Sequence, residues 1–71
     1  MYIMSEGRRN RIRVILAEQE RTSKWLAEQV GKSRLTISRW TTNKSQPSVD
    51  QLYEIANVLN IDVRDLLEPS K

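Results

Sequence analysis

The 71-residue sequence has no cysteine and no histidine. Without cysteine, no disulfide framework and no thiolate metal site can form, so a hydrophobic core must hold the fold together. Without histidine, imidazole zinc sites and histidine general bases are excluded as well. The carboxylates are scattered, with no inward pair suited to catalysis. We therefore expect no enzyme and no cofactor, metal or small-molecule site.

Long apolar runs are also missing, since a membrane-spanning helix needs about 20 apolar residues. The opening Met1-Tyr2-Ile3-Met4 is too short for the apolar region of a signal peptide, and acidic Glu6 follows it. We expect no membrane association and a cytoplasmic location in or near the nucleoid. The length predicts one domain over residues 9–67, with a flexible N-terminal segment at 1–8 and a tail at 68–71.

What the sequence does have is an uneven distribution of charge. From Arg8 to Lys44, ten basic residues face three acidic ones, whereas from Pro47 onward two basic residues face five acidic ones. Positive charge concentrated in one half of a chain favours a polyanionic partner such as nucleic acid. An ordinary solvated surface is the alternative interpretation.

Apolar residues recur at helical spacing, and no alternating strand pattern competes with them. They predict five helices, at about residues 9–20, 23–30, 33–41, 49–59 and 63–67. Residues that favour caps or left-handed turns separate the helices: Thr22 or Ser23, Gly31, Ser33, Ser48 with Gln51, Asn60 and Asp62. Because short helices are stable only when packed together, we predict an all-α, compact five-helix bundle.

Each predicted helix carries an apolar stripe for the core. The stripes are Ile12, Ile15 and Leu16; Leu26, Ala27 and Val30; Ile37 and Trp40; and Val49, Leu52, Tyr53, Ala56 and Leu59, with Ile55 and Val58 widening the last. Trp25 admits two interpretations, a partly buried packing residue or an exposed stacking surface for a partner.

The second and third helices have the spacing of a helix-turn-helix. Two helices that cross steeply need a small residue where their axes are closest, a left-handed residue at the turn, and an aliphatic side chain between them. Ala27, Gly31 and Ile37 meet these needs in the order Ala-x-x-x-Gly-x-x-x-x-x-Ile.

With these residues, the Pro47-Ser48 start of the fourth helix and the short closing helix, the sequence resembles a known family over about residues 9–67. This is the helix-turn-helix family typified by phage Cro and lambda-type repressors, often called XRE-like. The resemblance implies a third helix in the major groove of duplex DNA. It implies base contacts from Arg34, Leu35, Thr36, Ser38 and Arg39. It implies phosphate contacts from Ser23, Ser33, Asn43 and Lys44.

The chemistry of these side chains agrees with that assignment. Arg34 or Arg39 can donate two hydrogen bonds to guanine, and Thr36 or Leu35 can contact a thymine methyl group. Two further cations can add salt-sensitive phosphate contacts, Arg11 and Lys24. The N-terminal arginines admit two interpretations, a phosphate-binding cluster or a solvated helix start; they are Arg8, Arg9, Arg11 and Arg13.

Five positions depart from the family pattern. Lys32 replaces an apolar residue, and Ser23 replaces a glutamine that commonly opens the second helix. Asn43 stands where relatives often have glycine, and asparagine tolerates the left-handed backbone that the turn requires. Trp40 is bulkier than the usual aliphatic residue, and Trp25 occupies a position that is normally polar.

The sequence therefore predicts a sequence-specific transcriptional regulator of repressor type that binds duplex DNA as a homodimer. Tyr53, Ile61 and Leu67 are either a two-fold interface or part of the internal core. The alternative function is a protein-interaction module of the same fold, such as an antitoxin-like partner protein. RNA binding ranks third, because no sheet is predicted that could stack bases on aromatic side chains.

Overall fold

The structure, a computed structural model, describes residues 9–68. It contains four α-helices and one 3-10 helix: α1 Ile12–Glu18, α2 Ser23–Val30, α3 Arg34–Thr41, α4 Val49–Leu59 and η1 Val63–Leu66. The all-α class is confirmed, but the five-helix prediction is wrong in one respect. The last segment is a single 3-10 turn, which is usual for so short a piece. The segment at 1–8 and residues 69–71 of the tail lie outside the described residues.

The core draws on every element. One aliphatic side chain from each is completely buried, namely Ile12, Leu26, Ile37, Ile55 and Leu66. Helix α2 packs against α3 and α4, α1 packs against α3, and η1 packs against α4. The predicted stripes of the first three helices are all buried, Trp40 included, and Trp25 packs half-buried against the same core.

The stripe predicted for α4 is only partly correct. Val49 and Tyr53 are exposed, at 66% and 60% of their surface. These two residues are four apart and share one side of the helix, while the core is contacted by Ile55, Ala56 and Leu59. Helical spacing alone could not separate the two sides, because apolar residues surround much of α4.

All four α-helices end in the same way, with a left-handed residue and a backward hydrogen bond. The terminating residues are Glu20, Gly31, Asn43 and Asn60, with φ between 57° and 70°. In each case the next backbone N–H donates to a carbonyl five residues earlier: Arg21 to Leu16, Lys32 to Ala27, Lys44 to Arg39 and Ile61 to Ala56. This is the Schellman motif, which satisfies carbonyls that the helix leaves free.

Helix starts are capped by side chains in most elements. Thr22 Oγ1 accepts from Trp25 N at 3.0 Å, which settles the alternative between Thr22 and Ser23 as the cap of α2. Ser33 caps α3, Asp62 caps η1, and the predicted capping box of α4 is present with both of its bonds. Each cap satisfies a backbone donor that the helix cannot.

The first helix is shorter than predicted because residues 9–11 lie outside α1 and are bonded to the other end of the domain. Arg11 N donates to Leu66 O at 2.7 Å, and Glu68 N donates to Arg9 O at 3.3 Å, so the two ends of the domain pair as a short bridge. Asn10 Oδ1 accepts from Ile12 N at 3.1 Å and so supports the first turn of α1.

Among residues 9–68, every helix is too short and too polar to span a bilayer. The same residues hold no group of three carboxylates close enough together to bind a metal ion.

Candidate nucleic-acid interface

Helix α3 presents one polar, cationic face to solvent. Arg34, Leu35, Ser38 and Arg39 are exposed, and Thr42 follows on the same side. At 3.6 residues per turn these positions fall within an arc of roughly 140°. The opposite side of α3 carries its three buried residues, Ile37, Trp40 and Thr41. Four of the five predicted base-contact residues therefore share an accessible surface.

The fifth, Thr36, is only partly exposed and is engaged with the helix cap. Ser33 Oγ accepts from Thr36 N at 3.1 Å and donates to Thr36 Oγ1 at 3.0 Å. The Ser33 hydroxyl is thus used within the turn, while the backbone N–H groups of Arg34 and Leu35 have no acceptor inside α3. The start of α3 can offer these two donors to an anion.

The turn before α3 has the geometry that the spacing predicts. Gly31 has φ of 70°, and no atom lies within 4 Å of where a Cβ would be, so glycine is favoured by its backbone conformation. Ala27 is 3% exposed on α2, the helix that packs against α3. Lys32 is exposed, as expected for a cation in place of the family's apolar residue.

The start of α2 offers a second group of donors. Ser23 and Lys24 are exposed at the first two positions of the helix, where backbone N–H groups have no acceptor within it. Trp25 follows, and the Arg21 guanidinium lies over its ring at 4.3 Å from the centroid. Such a stack fixes the arginine beside the helix start.

The loop after α3 folds back onto that helix. The backbone N–H groups of Lys44 and Ser45 both donate to Arg39 O, at 2.9 and 3.3 Å. The Lys44 side chain is exposed. The Lys44 ammonium is thereby placed beside the end of α3, a position that suits its predicted contact with phosphate.

Asn43, also predicted to contact phosphate, uses its side chain inside the protein. Its Oδ1 accepts from Arg9 N at 2.7 Å, from Asn10 N at 2.9 Å and from Gln46 Nε2 at 3.1 Å. Its Nδ2 donates to Asn10 O at 3.3 Å. The left-handed backbone predicted for Asn43 is confirmed at φ of 61°.

Sequence reasoning missed Asn10, which is 3% exposed. Its Nδ2 donates to Trp40 O at 2.9 Å and to Gln46 Oε1 at 2.8 Å. One signal was available, because asparagine is a cap residue and Asn10 stands two positions before the first buried residue of α1. Its partners, 30 and 36 residues away, have no sequence signature.

Two of the N-terminal arginines lie beside the end of α3. Arg11 and Arg13 line a pocket of about 360 Å³ together with Asn10, Val14 and residues 41–43. Arg11 is half-buried, and its Nη1 donates to Asp65 O at 3.4 Å, whereas Arg9 and Arg13 are exposed. Arg8 lies outside the described residues.

Helix α3 and the loop after it carry cations and no carboxylate. Within residues 9–68, none of the cations on α3, at the start of α2 or in the following loop forms an ion pair. Asp50, Glu54, Asp62 and Asp65 line the grooves of α4 and η1 or lie on η1 itself. The positive face is therefore not neutralised by the protein itself.

One ion pair lies on η1. The Arg64 guanidinium donates two hydrogen bonds to the Asp62 carboxylate, at 3.1 and 2.9 Å, and Arg64 N donates a third at 2.8 Å. These bonds lower the pKa of Asp62 from its ordinary value of 3.8 to about 2.

The three residues predicted for a two-fold interface are partly or largely accessible. Tyr53 is exposed, Leu67 is 43% exposed, and Ile61 is half-buried against the core. Tyr53 and Ile61 line a shallow groove of about 520 Å³ between α4 and η1. The interpretation that all three are internal is therefore wrong for Tyr53, which faces away from the core.

Comparison with known proteins agrees with this geometry. The family model described as helix-turn-helix matches residues 12–66, from the start of α1 to the end of η1. A crystal structure of a proposed DNA-binding protein from Bacteroides fragilis is 61% identical, with a TM-score of 0.82. That match covers 83% of this chain and 95% of the other. No match was found among curated proteins. The chain belongs to the helix-turn-helix family, in its XRE-like group.

Proposed function

We propose that this protein is a DNA-binding transcriptional regulator of repressor type whose helix α3 lies in the major groove. The observation that carries the proposal is the exposed face of Arg34, Leu35, Ser38 and Arg39 on a helix held by a buried helix-turn-helix core. Arginine pairs with guanine through two hydrogen bonds, and leucine contacts a thymine methyl group. We propose a cytoplasmic, nucleoid-associated protein with no enzymatic activity.

The phosphate contacts come from both sides of α3. The backbone donors of Ser23, Lys24, Arg34 and Leu35 suit phosphate oxygens, because helix N-termini carry free N–H groups and partial positive charge. Lys44 adds a cation at the other end of α3. Helices α4 and η1 carry Asp50, Glu54 and Asp65, whose negative charge would repel phosphate. This favours docking through the basic face of α3.

The experiment begins with selection of bound sequences from a random duplex pool, followed by binding of three variants to base-substituted versions of the selected site. Arg34→Ala should lose discrimination at particular base pairs, worth about 1–3 kcal/mol for a bidentate contact. Lys44→Ala should weaken binding to all versions alike and flatten the salt dependence.

Arg64→Ala is the matched control, since it removes the same charge from an exposed arginine on η1. It should leave base preference unchanged. Full binding and full specificity in both Arg34→Ala and Lys44→Ala would refute the proposed function.

We further propose that the protein binds a two-fold site as a homodimer through Tyr53, Ile61 and Leu67. Exposure of an aromatic side chain beside a groove supports this, because interfaces favour such residues. Tyr53→Glu should weaken binding to a two-fold duplex and leave binding to a single half-site unchanged. Equal binding of the variant and the wild type to the two-fold duplex would contradict the dimer.

The same exposed residues on α4 favour a second candidate function, a protein-interaction module resembling an antitoxin. In that case another protein would cover α4 and η1, and duplex DNA would not bind at any salt concentration. Salt-sensitive binding to arbitrary duplex DNA therefore discriminates between the two functions.

A further inference from the structure

We infer that Asn10 is a positioning residue that orders the loop at residues 42–47 and thereby holds Lys44 beside the end of α3. The inference rests on the proposed function, because Lys44 is there a phosphate contact. Asn10 lies at the start of the domain, outside the helix-turn-helix, and would support the DNA-binding surface from there.

The loop has little apolar anchorage of its own. Residues Thr42 to Gln46 are all polar, and buried Pro47 is the first apolar residue after α3. Without side chains that enter the core, the loop depends on hydrogen bonds for its conformation. Its backbone supplies two of them, from Lys44 and Ser45 to Arg39 O.

Further bonds tie the loop to Asn10. From a buried position its Nδ2 donates to Trp40 O at 2.9 Å, at the end of α3, and to Gln46 Oε1 at 2.8 Å, at the far side of the loop. Asn10 N and O bond to Asn43 Oδ1 and Nδ2, in the middle of the loop. Three points that flank Lys44 are therefore fixed to one residue of the N-terminal segment.

Asn43 gives the middle of the loop both its turn and its attachment. Glycine at this position would supply the left-handed backbone but no side chain. Asn43 has the same backbone conformation and adds an acceptor for the N–H groups of Arg9 and Asn10. Its side chain acts on DNA through the loop, since its polar atoms are bonded within the protein.

The first test variant is Asn10→Asp, which keeps the acceptor for Ile12 N and replaces the Nδ2 donor with a second carboxylate oxygen. That oxygen would face the carbonyl of Trp40, so the bond to α3 is lost without loss of volume. The matched control is Asn57→Asp, which makes the same change of charge at an exposed position on α4.

The second variant, Asn43→Gly, keeps the left-handed turn and removes the side chain, so it remains informative if Asn10→Asp does not fold. Backbone amide exchange at Lys44 and Ser45 should accelerate on the order of tenfold in both variants, while exchange in α2 stays as in the wild type. The control should show no change. Unaltered exchange in the loop would overturn the inference.

The DNA arm measures the salt dependence of binding to a short duplex, which counts phosphate contacts. Asn10→Asp and Asn43→Gly should each lower the slope of log K against log salt by about 0.9, the value for one contact. Lys44→Ala added to either variant should lower it no further. A full additional loss from Lys44→Ala would overturn the positioning role and leave only a structural one. If the wild type does not bind the duplex, the proposed function fails, and amide exchange alone decides whether Asn10 orders the loop.

Discussion

At the scale of single residues, left-handed backbone positions decide where the helices end. Glycine adopts this conformation freely and asparagine tolerates it, but other residues are disfavoured by about 1–2 kcal/mol. Gly31, Asn43 and Asn60 follow this preference. Glu20 is the exception, with φ of 57° at the end of α1.

We expect Glu20→Gly to raise the free energy of unfolding by about 0.5–1 kcal/mol. The gain from relieving the left-handed conformation is partly offset by the greater freedom of glycine in the unfolded chain. Urea denaturation measures the change. Glu18→Gly, the same substitution inside α1, should instead destabilise by up to about 1 kcal/mol. Equal effects of the two substitutions would contradict the account of this terminus.

A pH prediction follows from the ion pair on η1. Folding lowers the pKa of Asp62 from 3.8 to about 2. The contribution of the ionised carboxylate to the free energy of unfolding is therefore complete above about pH 4 and is lost as the pH falls toward 2. Asp62→Asn should therefore reduce the loss of stability over that interval, and the effect should shrink in high salt. Thermal unfolding of Asp62→Asn and of Glu54→Gln across this range tests it. The same pH dependence in both variants would refute the assignment.

At this scale, the sequence predicted residues whose role depends on near neighbours. Gly31, Ser33 and the Ser48–Gln51 box belong to local patterns of three to five residues, and the structure confirms all of them. The only local signal at Asn10 is its place before α1, because its Nδ2 bonds to residues 30 and 36 positions away. The internal use of the Asn43 amide was not predicted for the same reason.

At the scale of elements, α3 has two faces with separate roles. Ile37 is completely buried between the helices, whereas Leu35 is 62% exposed on the face proposed for DNA. These two aliphatic residues are two positions apart, but one is buried and the other is exposed. A substitution at Ile37 should therefore affect stability, and one at Leu35 should affect binding.

Ile37→Ala should lower the free energy of unfolding by about 2–5 kcal/mol, because it removes core contacts and leaves a cavity. That is a large part of the roughly 4–11 kcal/mol expected for a domain of this length. Leu35→Ala should change it by less than about 0.5 kcal/mol and alter binding at a thymine instead. Chemical denaturation compares them, and a large loss of stability in Leu35→Ala would be inconsistent with the exposed face.

The type of each element could be predicted where the apolar periodicity is clear. The residues at which the helices begin and end were harder to predict. The first helix begins at Ile12, not near Arg9, because Arg11 and Arg9 bond instead to the chain at Leu66 and Glu68. That pairing joins the two ends of the domain and leaves no local signal. The last segment is 3-10, since it is only one turn long before the chain becomes extended.

At the scale of the whole molecule, the uneven charge of the sequence becomes a difference between surfaces. The cations of α2, α3 and the following loop have no ion-pair partner within residues 9–68, and no acidic residue occurs between Glu28 and Asp50. A surface of this kind orients a protein toward a polyanion and makes binding depend on salt. The central claim is therefore that duplex DNA contacts the α3 surface.

The most direct test is to titrate the isotopically labelled protein with a selected duplex and follow its backbone amide resonances. If α3 lies in the major groove, the largest shifts will occur at Arg34, Leu35, Ser38 and Arg39, with further shifts at Ser23, Lys24 and Lys44. Large shifts confined to α4 and η1, with the α3 resonances unchanged, would contradict it.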